Sequence, residues 1–452
     1  MGSYIPHTIQ DREAMLRVIG RKSTRDLFAE IPQEALYTGE IALPSGLSEL
    51  EVARAMQDIA AQNTVFKSVF RGAGAYRHYI PAAVTRITAN ETFLTAYTPY
   101  QAEISQGILQ SIFEYQTMIC ELTGMDAANA SVYDGASAAA EAVRMCASRD
   151  RAVVYVAEGA HPHVIETIRT YCFGYEYTVK TIPLANGTLD VDALKTMLAE
   201  EGGRVLCLYL QQPNFFGQIE DLKTAAELLH EAGALLIAGC NPIALGILES
   251  PGVLGADIAT GEGQPLGLPL GFGGPYLGFM ACKAAFMRKL PGRIVGETTD
   301  HEGRRAFVLT LQAREQHIRR EKALSNVCSN EALCALAAAV YLSVMGADGL
   351  AEAARQCHAK SVYAAKRIAE IPGFDLRYTG NFFHEFVTDC PDVAKTLAAL
   401  EKEGVLGGLP LSELSPNESG VLWCVTEMNS KADIDALCDL LRGIARGVTG
   451  GV

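Results

Sequence analysis

Between residues 130 and 285 short apolar runs alternate with stretches whose apolar positions recur at helical spacing. The pattern predicts strands at 152–157, 175–182, 205–210, 234–238, 258–260 and 276–281. Between them it predicts helices at 137–147, 162–173, 190–200 and 219–231. Strands that alternate with amphipathic helices predict a mostly parallel sheet wrapped by helices. Most of these runs are apolar throughout, as expected where helices cover both faces of a sheet.

The flanks read differently. Residues 1–65 are mostly helical in pattern, with helices expected at 11–19 and 48–63, and Ser48 with Glu51 forms a capping-box signal. Beyond about residue 330 the texture changes to helices at 330–345 and 350–370, an apolar run at 382–386, a helix near 391–403, a strand at 421–425 and a last helix at 432–446. The expected division is a helical segment (1–65), a large α/β domain (66–329) and a smaller C-terminal α+β domain (330–452) packed closely on it.

The 452 residues, 49% hydrophobic and 20% charged, have the balance of a soluble globular chain rather than a disordered one. The formal charge of −14 disfavours nucleic acid or an anionic membrane as partner. No apolar run reaches the ~18 residues a membrane span needs; the alanine-rich stretch at 332–345 reads as a buried helix. The first residues lack a basic segment followed by an apolar one, so no leader is expected. Twelve cysteines without metal-ligand or paired spacing point to reduced thiols and a cytoplasmic protein.

Several segments are chemically dense. The run 130–142 reads as a loop feeding a helix whose first turn offers Gly135, Ala136 and Ser137. Free N–H groups there would suit a phosphate, and a plain capped helix packed on the sheet explains the same residues. His161 opens the next helix, where its ring could stack on an aromatic cofactor, shuttle a proton, or merely start the helix. His163 lies two residues on with no evident third ligand, so no metal site is expected. The segments 71–79, with Tyr76 and His78, and 96–106, with Tyr97 and Tyr100, combine tyrosines and polar groups that could orient a small ligand or form a subunit interface. The charged run 312–322 reads as a solvated helix face, with a subunit contact as the other reading. A short strand at 258–260 runs into a glycine-rich loop that ends at Pro275.

At these residues a family becomes recognisable. Gly72-Ala-Gly-Ala-Tyr76, Tyr97-Thr-Pro-Tyr100, Glu103-Ile-Ser-Gln-Gly107, Phe113-Glu-Tyr-Gln116 and Gln312-Ala-Arg-Glu-Gln-His-Ile-Arg-Arg-Glu321 resemble the glycine cleavage system P-protein, and within it the alpha chain of the split form. The likeness runs from about residue 3 to 445. It implies an aspartate aminotransferase-like fold (fold type I of the pyridoxal-phosphate enzymes) and an alpha2 beta2 heterotetramer. The beta chain would hold pyridoxal phosphate on a lysine, glycine would lose its carboxylate there, and the aminomethyl group would pass to the lipoyl arm of the H-protein.

On this chain the position matched to the cofactor's lysine is Gln264, and an amide is no nucleophilic amine. Ala238 stands where relatives place the acid under the pyridine nitrogen. The resemblance therefore implies no covalently held cofactor on this chain. Ser137, His161, Ala238 and Gln264 would be the remnant of its own site, while Tyr97, Tyr100, Tyr76 and His78 would complete the beta pocket. Two alternatives stay open: a self-sufficient pyridoxal-phosphate decarboxylase or aminotransferase using another lysine such as Lys283, and a non-catalytic scaffold.

Overall fold

The computed structural model describes residues 6–37, 39, 41–414 and 419–447. The extreme N-terminal residues, on which the expectation of no leader rests, lie outside the described residues. The chain forms two compact units, Met1–Val65 and Phe66–Val452. In the first, Ile9–Val18 and Glu49–Ala60 are helices, and each starts with a reciprocal capping box, Thr8 with Asp11 and Ser48 with Glu51. The Ser48–Glu51 pair is the one the sequence signals.

The second unit is built on a seven-stranded sheet. Its strands in chain order are β1 (Ala127–Ala128), β2 (Val153–Ala157), β3 (Thr178–Ile182), β4 (Val205–Gln212), β5 (Leu235–Cys240), β6 (Ile258–Glu262) and β7 (Gly278–Cys282). The spatial order is β1-β7-β6-β5-β4-β2-β3. All neighbours are parallel except β7, which runs antiparallel to β6 and β1. Parallel neighbours need crossovers; helices Pro162–Gly174, Val191–Glu201 and Leu222–Glu231 supply those from β2 to β5, and residues 241–257, with a 3-10 turn at Ala244–Gly246, connect β5 to β6.

The all-apolar strands are explained by the two covered faces. Leu208, Leu210, Leu236 and Ala238 enter one buried cluster, while Cys207, Tyr209 and Ile237 enter another. Each fully buried leucine stabilises the fold by about 2 kcal/mol through removal of apolar surface from water. Helix Leu222–Glu231 shows the same logic, with Leu222, Ala225, Ala226 and Leu229 buried at helical spacing.

Helix Ala332–Ala369 has the length and apolarity of a membrane span, but Cys334, Ala338 and Tyr341 lie in the sheet's core. Gly346, at φ 61°, breaks it where the sequence predicts two helices. Beyond the break, Ala364, Ala365 and Ile368 pack with Trp423, Phe386 and Leu437 in a separate cluster. That cluster covers an antiparallel sheet of Glu385–Thr388, Val421–Cys424 and Leu409–Pro410.

Some elements depart from the sequence pattern. The strand expected from 175 begins at Thr178, because Tyr175 caps the preceding helix and Glu176 takes φ 58°. The run at 382–386 enters its strand only at Glu385, since Phe382 bridges to Gln218 instead. Helix Gln106–Thr123 and the hairpin Ile294–Thr299/Arg305–Thr310 have no counterpart among the expected elements. The charged run at 312–322 is no continuous helix. It breaks into short turns, with Arg320 at φ 52° and Arg314 turned inward to donate to the carbonyls of Leu311 and Gly292.

Candidate functional site

A cavity of about 570 Å³ lies at the C-terminal ends of β4 and β5, where Gln211, Gly239 and Cys240 reach its wall. In parallel α/β sheets this end collects ligands, because loops and helix N-termini converge there. Two helices begin at the cavity: Gly135–Met145, capped by Asp134, and Pro162–Gly174, capped by His161.

The first of these N-termini is already filled by the chain's own carboxylates. The Ser137 N–H donates to Asp134 Oδ1 at 2.8 Å, and the Gly135 N–H donates to Glu262 Oε2 at 3.0 Å. Glu262 Oε1 also accepts from the N–H groups of Gln264 (2.9 Å) and Leu277 (2.8 Å). Burial pushes the Glu262 carboxyl up to about 7 against those three bonds, with the Asp134 charge adding to the rise. Gly135 is required by this approach, since a Cβ would lie 2.9 Å from the Glu262 nitrogen.

Gln264 is 1% exposed and is not part of the cavity wall; its neighbour Pro265 is. Its amide instead clamps the backbone of Tyr76: Oε1 accepts from the Tyr76 N–H and Nε2 donates to the Tyr76 carbonyl, both at 2.9 Å, while Nε2 also donates to Leu268 at 2.8 Å. Neither Gln264 nor Pro265 carries an amine. Ala238 is likewise absent from the wall, being fully buried in the sheet's core.

The clamped segment runs along the cavity. Tyr76 donates its hydroxyl proton to Glu385 Oε2 at 2.7 Å, and the Ala73 N–H donates to Glu385 Oε1 at 2.6 Å. Burial pushes the Glu385 carboxyl up to about 7. His161 accepts the His163 N–H on Nδ1 at 3.1 Å, so Nε2 carries the proton and donates to the Ala73 carbonyl at 3.0 Å. Burial holds this imidazole below its usual range. Gly74, at φ 103°, lets the segment pass: a Cβ there would meet His161 Nε2 at 2.7 Å.

His384, 1% exposed, lines the cavity with neither ring nitrogen hydrogen-bonded. Burial drives its pKa down to about 3, with neighbouring His78 adding to the fall, so the ring is neutral. Behind it His78 Nδ1 meets Glu427 Oε2 at 2.8 Å, and the Cys357 thiol donates to the same oxygen at 3.2 Å. Among the described residues this trio is the one set whose ligand atoms could gather a metal, all within 4.8 Å of one another. His161 and His163 gather no third ligand among the described residues.

The expected grouping of Tyr76, His78, Tyr97 and Tyr100 therefore splits. Tyr76 and His78 are hydrogen-bonded to Glu385 and Glu427 of this chain. Tyr97 and Tyr100 are 84% and 55% exposed, with Tyr100 stacked under Arg293 at 5.5 Å. Ser137 and His161 do line the cavity. Lys283 does not; it lies 3.6 Å from Asp257, outside the wall. Sequence reasoning missed Glu262, His384 and Glu385, although each is a polar residue inside or at the end of an apolar strand, a signal that calls for explanation.

Pyridoxal phosphate, implied by the resemblance, does not fit these residues. Among the described residues on the wall there is no lysine or arginine, and Asp134, Glu262, Glu331 and Glu385 are all there. Of the helix N–H groups that would meet a phosphate, those of Gly135 and Ser137 are spent on Glu262 and Asp134. A dianion placed there faces repulsion and finds few free donors.

Residues 2–441 match the family model described as glycine cleavage system P-protein. The chain is 51% identical over 447 residues, 98% of itself and 100% of the relative, to a protein of Desulforamulus reducens named probable glycine dehydrogenase (decarboxylating) subunit 1. A protein of the same name from Desulfitobacterium hafniense is 49% identical, covering 96% of this chain and 98% of the relative. Among solved structures, one titled as glycine decarboxylase (P-protein) of the glycine cleavage system, in inhibitor-bound form, superposes with a TM-score of 0.91 at 43% identity over 98% of this chain and 100% of that one. A cysteine desulfurase of Escherichia coli shares the fold at 16% identity, with a TM-score of 0.63 over 87% of this chain and 99% of that one.

Proposed function

This chain belongs to the glycine cleavage system P-protein family, as the subunit-1 type of a divided glycine decarboxylase, and from that premise we propose that it shapes a shared active site whose pyridoxal phosphate is held by its beta partner. The observation that carries this reading is the cavity's chemistry. The fold keeps the pocket, but among the described residues no lysine lines it, and carboxylates stand where a phosphate cradle would be needed.

The proposed assembly is an alpha2 beta2 heterotetramer acting on glycine and handing the aminomethyl group to the lipoyl arm of H-protein. The cofactor, bound to the partner, would supply the electron sink for decarboxylation. This chain's contribution would come from its exposed 97–104 segment, where Tyr97, Tyr100 and Ile104 present large rings and an apolar side chain to solvent. Such residues at an interface give contact area and fixed hydroxyl groups at low conformational cost. The self-sufficient alternative is disfavoured because no lysine, Lys283 included, lines the cavity among the described residues.

The test uses the full chain alone and the chain co-expressed with its beta partner. The full chain with added pyridoxal phosphate should show no borohydride-fixable visible absorbance and no glycine–bicarbonate exchange, while the pair should show both. A borohydride-stable adduct on the isolated alpha chain would overturn the division of labour.

A further inference from the structure

We infer that a second cavity, outside the site described above, is a binding site for a phosphate monoester. The inference goes beyond the proposed role of the chain and does not depend on where the family's cofactor is held.

The cavity holds about 280 Å³ between the short 3-10 turn Ala284–Lys289, which follows β7, and the broken charged segment at 312–322. Arg288, Lys289, Arg314, Arg319 and Lys322 line it, and Glu315 is the one acid among the described residues that do. Five cations to one carboxylate runs against the composition of a chain with 52 acidic and 38 basic residues. Buried Leu290 and Val327 also line the space, and such low-dielectric walls strengthen the field of the charges.

A second observation is what these cations lack. Among the described residues none of the five forms an ion pair, and the side chains of Arg288 and Lys322 have no hydrogen-bond partner either. Arg314 and Arg319 donate only to the carbonyls of Leu311, Gly292 and Ala313, and Lys289 reaches the Ala147 carbonyl at 3.4 Å. Glu315 stands instead 3.6 Å from His317. Exposed cations elsewhere are paired, as Arg304 is with Asp300 and Glu302, and Lys431 with Asp435. Like charges gathered without a counter-ion repel one another, and a bound anion removes that cost.

The donors select the anion. Three guanidinium groups present planar forks, and two ammonium groups add point charges. A carboxylate has two oxygens to offer them, whereas a phosphate monoester has three terminal oxygens and close to two charges at neutral pH. The space admits a phosphate and a few attached atoms rather than a nucleic acid strand, which the formal charge of −14 also disfavours. Two sources present such a group: a free phosphate ester, and a phosphate held on the beta partner. The second source rests on the proposed assembly, and the first does not.

The experiment is isothermal titration of the full chain with inorganic phosphate, against acetate at equal ionic strength. Phosphate should bind saturably, one to one, below about 5 mM, and acetate at least about tenfold more weakly. The double variant R288Q/K322Q removes two cations that have no partners to lose, and should weaken phosphate at least about tenfold with the melting temperature unchanged. K223Q, an exposed cation that does not line this cavity, should leave binding as it is. Should the double variant fail to fold, K322Q alone must show a loss in the same direction. Repeating the titration on the chain co-expressed with its beta partner separates the sources. Phosphate bound as before indicates a free ester, and phosphate excluded from the pair but bound by the isolated chain indicates a group brought by the partner. No saturable phosphate binding by the isolated chain, binding unchanged in the folded variants, or acetate bound as tightly as phosphate would each overturn the inference.

Discussion

The side-chain amide of Gln264 pairs with the main chain of Tyr76 at both its N–H and its carbonyl, each at 2.9 Å, as a neighbouring strand would. It thereby joins the glycine-rich loop after β6 to the segment that carries Tyr76 and runs to His78. Cutting Gln264 to alanine should leave buried backbone groups without partners, at about 1–3 kcal/mol for each unsatisfied group. Urea unfolding should show a drop of at least about 2 kcal/mol for Q264A, with Q264E intermediate because it keeps one acceptor. A stability equal to that of the parent would mean the clamp does not hold this segment.

Substituting the wall position itself should not rebuild a cofactor site. P265K introduces an amine into the cavity, yet Ala238 stays buried in the sheet core and the Gly135 and Ser137 N–H groups remain on Glu262 and Asp134. Added pyridoxal phosphate should therefore give no stable visible band on P265K at micromolar cofactor. A persistent band that borohydride fixes would show that a lysine alone suffices, against the electrostatic argument.

Gly74 is expected to tolerate no side chain. G74A has to meet both the positive φ of 103° and a contact of 2.7 Å with His161 Nε2, so the imidazole must leave the Ala73 carbonyl. The expected cost is about 2 kcal/mol or more in thermal or urea unfolding, from backbone strain plus the lost bond. A crystal structure of G74A with His161 unmoved would refute the packing account.

Much of this arrangement is legible in the amino-acid order, and the remainder fails for identifiable reasons. The central strands stand out because both faces are covered and their runs stay apolar, as at Val205–Leu210. The Gly346 break is visible between two helical patterns. The clamp is not legible, since Gln264 and Tyr76 are 188 residues apart and an amide pairing with backbone leaves no sequence pattern. The inward pairing of Tyr76 and His78 is illegible for the same reason. The partners that draw them inward, Glu385 and Glu427, lie 309 and 349 positions away in the C-terminal region. Glu262, His384 and Glu385 could have been found as polar residues set against apolar strands.

Tyr97 should matter to the assembled enzyme and not to the stability of the chain. At 84% exposure it has little packing to lose, so Y97A should shift the melting temperature of the chain by no more than about two degrees. Glycine–bicarbonate exchange by the pair should fall by roughly tenfold or more if the ring completes the shared pocket. Exchange at the parental rate in both Y97A and Y100A would leave this chain as a scaffold for its partner.

The raised carboxyls make a signed prediction about pH. Burial lifts Glu262 from an ordinary 4.5 to about 7, so between those values the folded chain holds a proton that the unfolded chain has released. Stability therefore falls as pH rises through that window, and the Glu262 share of the loss is at most about 3 kcal/mol. Glu141, Glu220 and Glu385, also pushed up to about 7 by burial, act in the same direction. Glu427 works oppositely but elsewhere. Burial would raise it, yet its bonds from His78, Tyr79 and Cys357 hold it at about 2, so its stabilisation is lost only as pH falls from 4.5 towards 2. E262Q keeps the acceptor for Gln264 and Leu277 and loses the one for Gly135, so it should start lower at pH 4.5 by about 1 kcal/mol. It should then lose less than the parent on the way to pH 7, and the two stability curves should converge or cross. Parallel urea-derived curves across that window would mean Glu262 is ionised throughout, and that its three N–H bonds outweigh its burial.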